Sequence, residues 1–222
     1  LQKPDGADAA PPPGHLPMMY RALSIETVNP EKRTFDIIWT TGASVRRYDW
    51  RGGENYDEVL VVDTKSCDLS RLNGGAPFLR DHNAWSINAI LGAIDRAWIE
   101  GGNGHATIRF PAEGVDPEAD KIFLKIADKI IRNISVGYIV RGVQKVVKEG
   151  QVTQWRIIDW QPYEISAVAV GADAGAGTRA GESAQFYPFH LVNRAEPTPP
   201  QETLMEKDEN APVVTGTETR TI

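Results

Sequence analysis

From Phe35 onward, short runs rich in β-branched and aromatic residues alternate with glycine or polar punctuation. Phe35–Thr40, Val45–Trp50, Glu58–Val62, Pro77–His82, Leu91–Glu100 and Ala106–Phe110 each read as a strand. Gly101, Gly102, Asn103 and Gly104 separate the last two, which predicts a hairpin. Ile134–Val146 and Val152–Trp160 predict a second hairpin turning at Glu149 and Gly150, and Ile165–Val170 closes the set. One segment has a different period. Ala119, Ile122, Phe123, Ile126, Ala127, Ile130 and Ile131 recur at steps of three and four, with Asp120, Lys121, Lys125, Asp128 and Lys129 on the opposite side and Leu124 as the exception. Asp116 can cap this helix and Pro117 suits its first turn. The apolar stripe predicts packing against a sheet. Many short strands with one or two helices predict an α+β domain built on a mainly antiparallel β-barrel.

The flanks have another composition. Residues 1–17, LQKPDGADAAPPPGHLP, read as a disordered N-terminal arm. Residues 195–222, rich in Glu, Thr and Pro, read as a disordered polar tail or linker. A single domain over 18–194 is therefore expected from the 222 residues. The net charge of −6 argues against nucleic acid as a partner, since phosphate binding wants a basic face. No apolar run approaches the ~20 residues that span a bilayer, so no membrane partner is expected. No signal peptide is visible at the polar, Pro-rich start, and a chain that begins with Leu1 reads as a processed product or an excised part of a longer polypeptide. The lone Cys67 cannot form an intrachain disulfide and reads as a small buried residue rather than a nucleophile.

Candidate chemistry is sparse. None of the four histidines, His15, His82, His105 and His190, has a metal-ligand companion at the usual spacing, and no cofactor is expected. Gly52–Gly53, Gly74–Gly75 and Gly101–Gly104 sit at turns rather than before helices, and the G-x-S-x-G elbow is absent. His82 ends a strand-like segment beside polar residues, which suits a rigidly held general base. Ser135 opens Ile134-Ser135-Val136-Gly137-Tyr138 directly after the helix, and strand alternation puts it on one face with Gly137, leaving room for another backbone. Glu164 shares a face with Ser166, Val168 and Val170, where a carboxylate is costly unless paired. An imidazole or an arginine would serve equally as its partner.

Three segments in order, Pro77-Phe78-Leu79-Arg80-Asp81-His82-Asn83, Ile134-Ser135-Val136-Gly137-Tyr138 and Glu164-Ile165-Ser166-Ala167-Val168-Ala169-Val170, with the small-residue loop Gly171–Ala176, resemble the tailed-phage prohead (head maturation) serine proteases, relatives of the herpesvirus assemblins. The resemblance runs over roughly Ala22 to Ala180. It departs in the bulky stretch Ala84–Ala89 after His82 and at Gly171, where the family often has proline. It implies a barrel with packed helices, Ser135 as nucleophile, His82 as base and Glu164 as the residue that orients the imidazole. Assemblins use a second histidine in that last role. Here His105 precedes the serine and His190 follows the last strand, so Glu164 matches better. Arg179 is the candidate oxyanion donor. The resemblance further implies a serine endopeptidase in the host cytoplasm, inside the assembling procapsid. Its substrates would be the major capsid protein with its scaffold segment, and in some members the protease itself. Homo-oligomerisation stays open. Two rivals are an idle scaffolding or capsid-binding module of the same fold, and an unrelated β-barrel binding module in which Ser135 and His82 lie far apart.

Overall fold

The computed structural model describes residues 14–17, 19–49, 51–169 and 186–192. In chain order the elements are β1 (His15–Pro17), β2 (Met19–Asn29), β3 (Thr34–Thr40), β4 (Val45–Asp49), β5 (Glu54–Leu60), α1 (Ser70–Asn73), β6 (Pro77–Arg80), β7 (Ile90–Glu100), β8 (Asn103–Arg109), α2 (Pro117–Ala127), β9 (Asn133–Val146), β10 (Gln154–Val168), β11 (Phe186–Pro188) and β12 (His190–Leu191). The architecture is α+β, dominated by strands. Hydrogen-bonded pairing runs β9–β2–β3–β8–β7–β6–β10, and β10 pairs again with β9, so that the path returns to its starting strand. Most pairs are antiparallel, but β10 runs parallel to both β5 and β6, and β12 parallel to β9.

Both expected hairpins form. Glu100 pairs with Asn103 across Gly101 and Gly102, which have φ of 57° and 77°. Positive φ at both central residues is what a two-residue hairpin turn matching the strand twist requires. The loop is thus shorter than the run of four predicted, and β8 begins at Asn103. Three further boundaries differ. The segments 152–160 and 165–170 are joined in one long strand, β10, despite Pro162. β5 pairs with β10 at 154–157 and β6 at 165–167, so the proline falls between these partners and removes no ladder bond on that side. β2 was not marked by the pattern, although Leu23 and Ile25 alternate with Ser24 and Glu26; the register breaks between Ile25 and Thr27. His15–Pro17, placed in the arm by composition, form β1 against β11. The tail 195–222 lies outside the described residues.

Helix α2 follows its sequence signals closely at the start. The Asp116 carboxylate accepts from the backbone N–H of Glu118 and Ala119 at 2.9 and 3.1 Å, and Pro117 occupies the first turn. Ala119, Phe123 and Ile126 are buried. Phe123 meets Phe110 edge to face at 5.3 Å, Phe110 meets Phe78 at 5.8 Å, and Phe78 meets Phe35 at 5.4 Å. This aromatic chain ties the helix to β6 and β3. The helix stops before the stripe does. Lys129 adopts φ of 59°, its N–H bonds the Ile126 carbonyl at 3.0 Å, and the Ile130 N–H bonds the Lys125 carbonyl at 2.8 Å. That is a Schellman closure with lysine where glycine is usual. Ile130 is consequently thrown outward and exposed.

Candidate active site

The site is assembled where β6, β9 and β10 meet. β6 lies parallel to the end of β10, pairing Phe78 with Ile165, Leu79 with Ser166 and Arg80 with Ala167. The chain then leaves the ladder through Asp81 and His82, with φ of 51° and 59°. Left-handed backbone at two successive non-glycine residues persists only where surroundings over-determine it. Two bonds to β10 do so: the Asp81 N–H donates to the Ala167 carbonyl at 2.9 Å, and the His82 N–H to Ser166 Oγ at 3.2 Å. The turn is closed by the Asn83 N–H on the Arg80 carbonyl at 3.0 Å.

This turn carries the half-buried His82 imidazole back over β10, with Nδ1 2.6 Å from Glu164 Oε1. Glu164 is buried, and its second oxygen, Oε2, accepts a 2.5 Å hydrogen bond from Ser166 Oγ. Ser135 lies directly across from Ser166 in the antiparallel β9–β10 register, and Gly137 across from Glu164. Directly opposed side chains share a face with Cβ atoms roughly 5 Å apart. His82, Glu164 and Ser166 form one hydrogen-bonded array, and the register puts Ser135 on the same face of the sheet. Ile134, Val136 and Tyr138, at the alternate positions of β9, are fully buried in the core. A neutral His82 whose Nδ1–H donates to Glu164 keeps its lone pair on Nε2, the geometry a general base needs.

The two serines differ in their surroundings. Ser166 has no exposed surface, and its hydroxyl proton is committed to Glu164. Ser135 is buried too, but retains 3% exposure. The remaining histidines stand elsewhere. His190 pairs with Gly142, seven residues along β9 from Ser135, roughly 23 Å at ~3.3 Å per residue. A Cβ on Gly142 would come 3.3 Å from the exposed His190 ring, a tight contact. His105 stacks on Trp98 at 5.3 Å, on β8, and His15 lies on β1. Arg179 and the loop 171–176 lie outside the described residues. Cys67 is buried, as its reading as a small core residue requires, and burial, then Asp68 and Asp63, push its thiol pKa up. Among the described residues no three of His, Cys, Asp and Glu converge as metal ligands.

Two polar features escaped the sequence reading. One is the role of Ser166; the other is a buried network outside the site. Arg47 Nη2 meets Glu58 Oε1 at 3.2 Å and the Tyr138 hydroxyl at 3.0 Å, and Tyr138 donates to Glu58 Oε1 at 2.5 Å. Burial works against the Arg47 charge, yet Tyr138 and Glu58 outweigh it and raise the pKa. The residues are far apart in sequence, so no local signal marks them.

Over 121 residues the chain is 35% identical to the major capsid protein of Halomonas phage phiHAP-1. It is related to a phage head protein. The match takes in 54% of this chain but 20% of that protein, so the chain spans about a fifth of the length of the curated relative it matches. No family model matches, and no solved structure does.

Proposed function

We propose that this chain is a serine endopeptidase of phage head maturation, with Ser135 as nucleophile, His82 as base and Glu164 as the carboxylate that orients the imidazole. The observation that carries the reading is the 2.6 Å bond between His82 Nδ1 and buried Glu164, formed beside the strand position that faces Ser135 across the β9–β10 ladder. Ser135 Oγ attacks the scissile carbonyl while His82 takes its proton and later returns it to the leaving amine. Glu164 holds the imidazole and stabilises its charged form. The returning strand path is read as the barrel of the prohead protease and assemblin type. Similarity to a major capsid protein supports placing the activity in the assembling head, on scaffold segments and capsid-protein extensions. It also fits a protease unit carried within a longer capsid polypeptide and cutting itself free. Among the described residues no helix is long and apolar enough to cross a membrane.

The capsid match equally favours a second reading, a catalytically idle capsid-binding module of the same fold. Co-expression with the neighbouring capsid protein separates the two. Its mass should fall with the wild-type chain and stay intact with Ser135→Ala. A small-to-smaller change there should leave the fold intact. Full processing by a folded Ser135→Ala protein would refute the assignment.

A further inference from the structure

We infer that Ser166 is a positioning residue of the proposed site, a fourth member that acts through both Glu164 and His82. The inference rests on the protease reading above. Ser166 Oγ makes two bonds of opposite sense. It donates to Glu164 Oε2 at 2.5 Å, and it accepts from the backbone N–H of His82 at 3.2 Å. A hydroxyl can do both at once, since it carries one donor and two acceptor lone pairs. The first bond satisfies the carboxylate oxygen that His82 does not use, and so sets the rotation of the Glu164 carboxylate. The second holds His82 at φ of 59°, a conformation that carries its ring back over β10. One atom thus fixes the acceptor and the backbone of the residue that donates to it.

Alternative residues at position 166 fail for stated reasons. Alanine supplies neither bond. A polar side chain longer than threonine's would have to displace its packed neighbours, since Ser166 is fully buried between β6 and β9. Cysteine is a weak donor and a weak acceptor. Releasing the clamp lets Asp81 and His82 relax toward ordinary backbone, because one of the two backbone N–H bonds that over-determine this turn, the His82 N–H on Ser166 Oγ, is lost. The expected defect is in how fast the site reacts rather than in what it binds, since Ser166 presents no surface to a substrate.

The experiment uses the full chain and a biotinylated fluorophosphonate. Ser135 Oγ attacks phosphorus, a P–O bond forms, the P–F bond breaks, and fluoride leaves as the serine proton passes to His82. Intact mass reports the extent of labelling, and its concentration dependence separates the maximal rate from the half-saturating concentration. Ser166→Ala should lower the maximal rate by about 10- to 100-fold, the worth of a buried bond to a charged group. The half-saturating concentration should move less than about twofold, the mark of an interaction absent from reagent binding. Ser166→Thr, which keeps the hydroxyl, should recover most of the loss if its melting curve matches wild type. A second readout needs no reaction. The downfield proton resonance that disappears in His82→Ala should shift or broaden in folded Ser166→Ala. A folded Ser166→Ala protein with wild-type labelling rate and an unmoved resonance would overturn the inference while leaving Ser135 in place. Labelling that persists in Ser135→Ala would instead overturn the protease reading, and this inference with it.

Discussion

Replacing Glu164 by glutamine tests the proposed site most sharply, because the structure makes its effects on folding and on rate diverge. The carboxylate accepts two short hydrogen bonds, from His82 Nδ1 and from Ser166 Oγ. Glutamine keeps the shape, but only one of its terminal atoms accepts. If its oxygen faces His82, the amide N–H groups face Ser166, whose hydroxyl can rotate to accept. The stability lost is then the charge-assisted part of two bonds, about 1–2 kcal/mol. For a chain of this size that lowers Tm by about 2–8 °C. If its N–H groups face His82 instead, Nδ1 must be the acceptor and Nε2 carries the proton. That is the wrong tautomer for a base. Either way the developing imidazolium loses its counter-charge in a site where Glu164 is almost completely buried. Loss of the corresponding carboxylate in a Ser-His-Asp triad costs up to about 10⁴ in turnover, roughly 5.5 kcal/mol of barrier. Expected, then, is a folded protein with turnover down about 10³- to 10⁴-fold and residual activity above background. The assay is fluorophosphonate labelling or capsid-protein processing at excess substrate, beside a thermal melt of the same preparation. Turnover within threefold of wild type in a folded Glu164→Gln protein would refute the assigned role.

Four further outcomes are expected. His190→Ala should label at the wild-type rate, since His190 pairs with Gly142, far along β9 from Ser135; a crippled variant would favour a second histidine in place of Glu164. Lys129→Gly should raise stability by up to about 1 kcal/mol in denaturant titration, because lysine sits at φ of 59° in the closure of α2. Arg47→Met should destabilise by about 3–5 kcal/mol, leaving Glu58 buried without its counter-charge; Arg47→Met with Glu58→Leu should recover much of this in the same titration. The hydrogen bond from Ser70, helped by Arg141, holds the Asp68 carboxyl below its ordinary pKa. A depressed folded pKa gives stability that is present above the unfolded value near ~3.9 and is lost as pH falls through the folded one. Melting curves below about pH 4 should therefore fall less steeply for Asp68→Asn than for wild type.

Local pattern in this chain determined its elements. The alternation in Phe35–Thr40 and Ala106–Phe110, the three- and four-residue steps from Ala119 to Ile126, and the Asp116–Pro117 cap all appear in the structure at or near their predicted places. These signals were legible because each is made by neighbours on one strand or one helical turn, where side-chain period and capping chemistry act over a few residues. Glu164 and Ser166 on one face of a strand was likewise a reading of period two. What joins them to His82 was not. The bend at Asp81 and His82 violates local preference, and it is held by Ala167 and Ser166, more than eighty residues away. Pro162 inside β10 and the Arg47–Glu58–Tyr138 network share that origin. Each is unfavourable by itself and is stabilised by partners that only chain folding brings near. The sequence by itself settled most of the strands, the helix α2 and which side chains of each share a face, but not β1, β2 or the continuity of β10. The tertiary structure alone decided that β6 would lie parallel to β10, and hence that an imidazole would meet a buried carboxylate two residues along β10 from the position that faces Ser135, because strand pairing between distant segments depends on how the whole apolar surface is buried rather than on any local run.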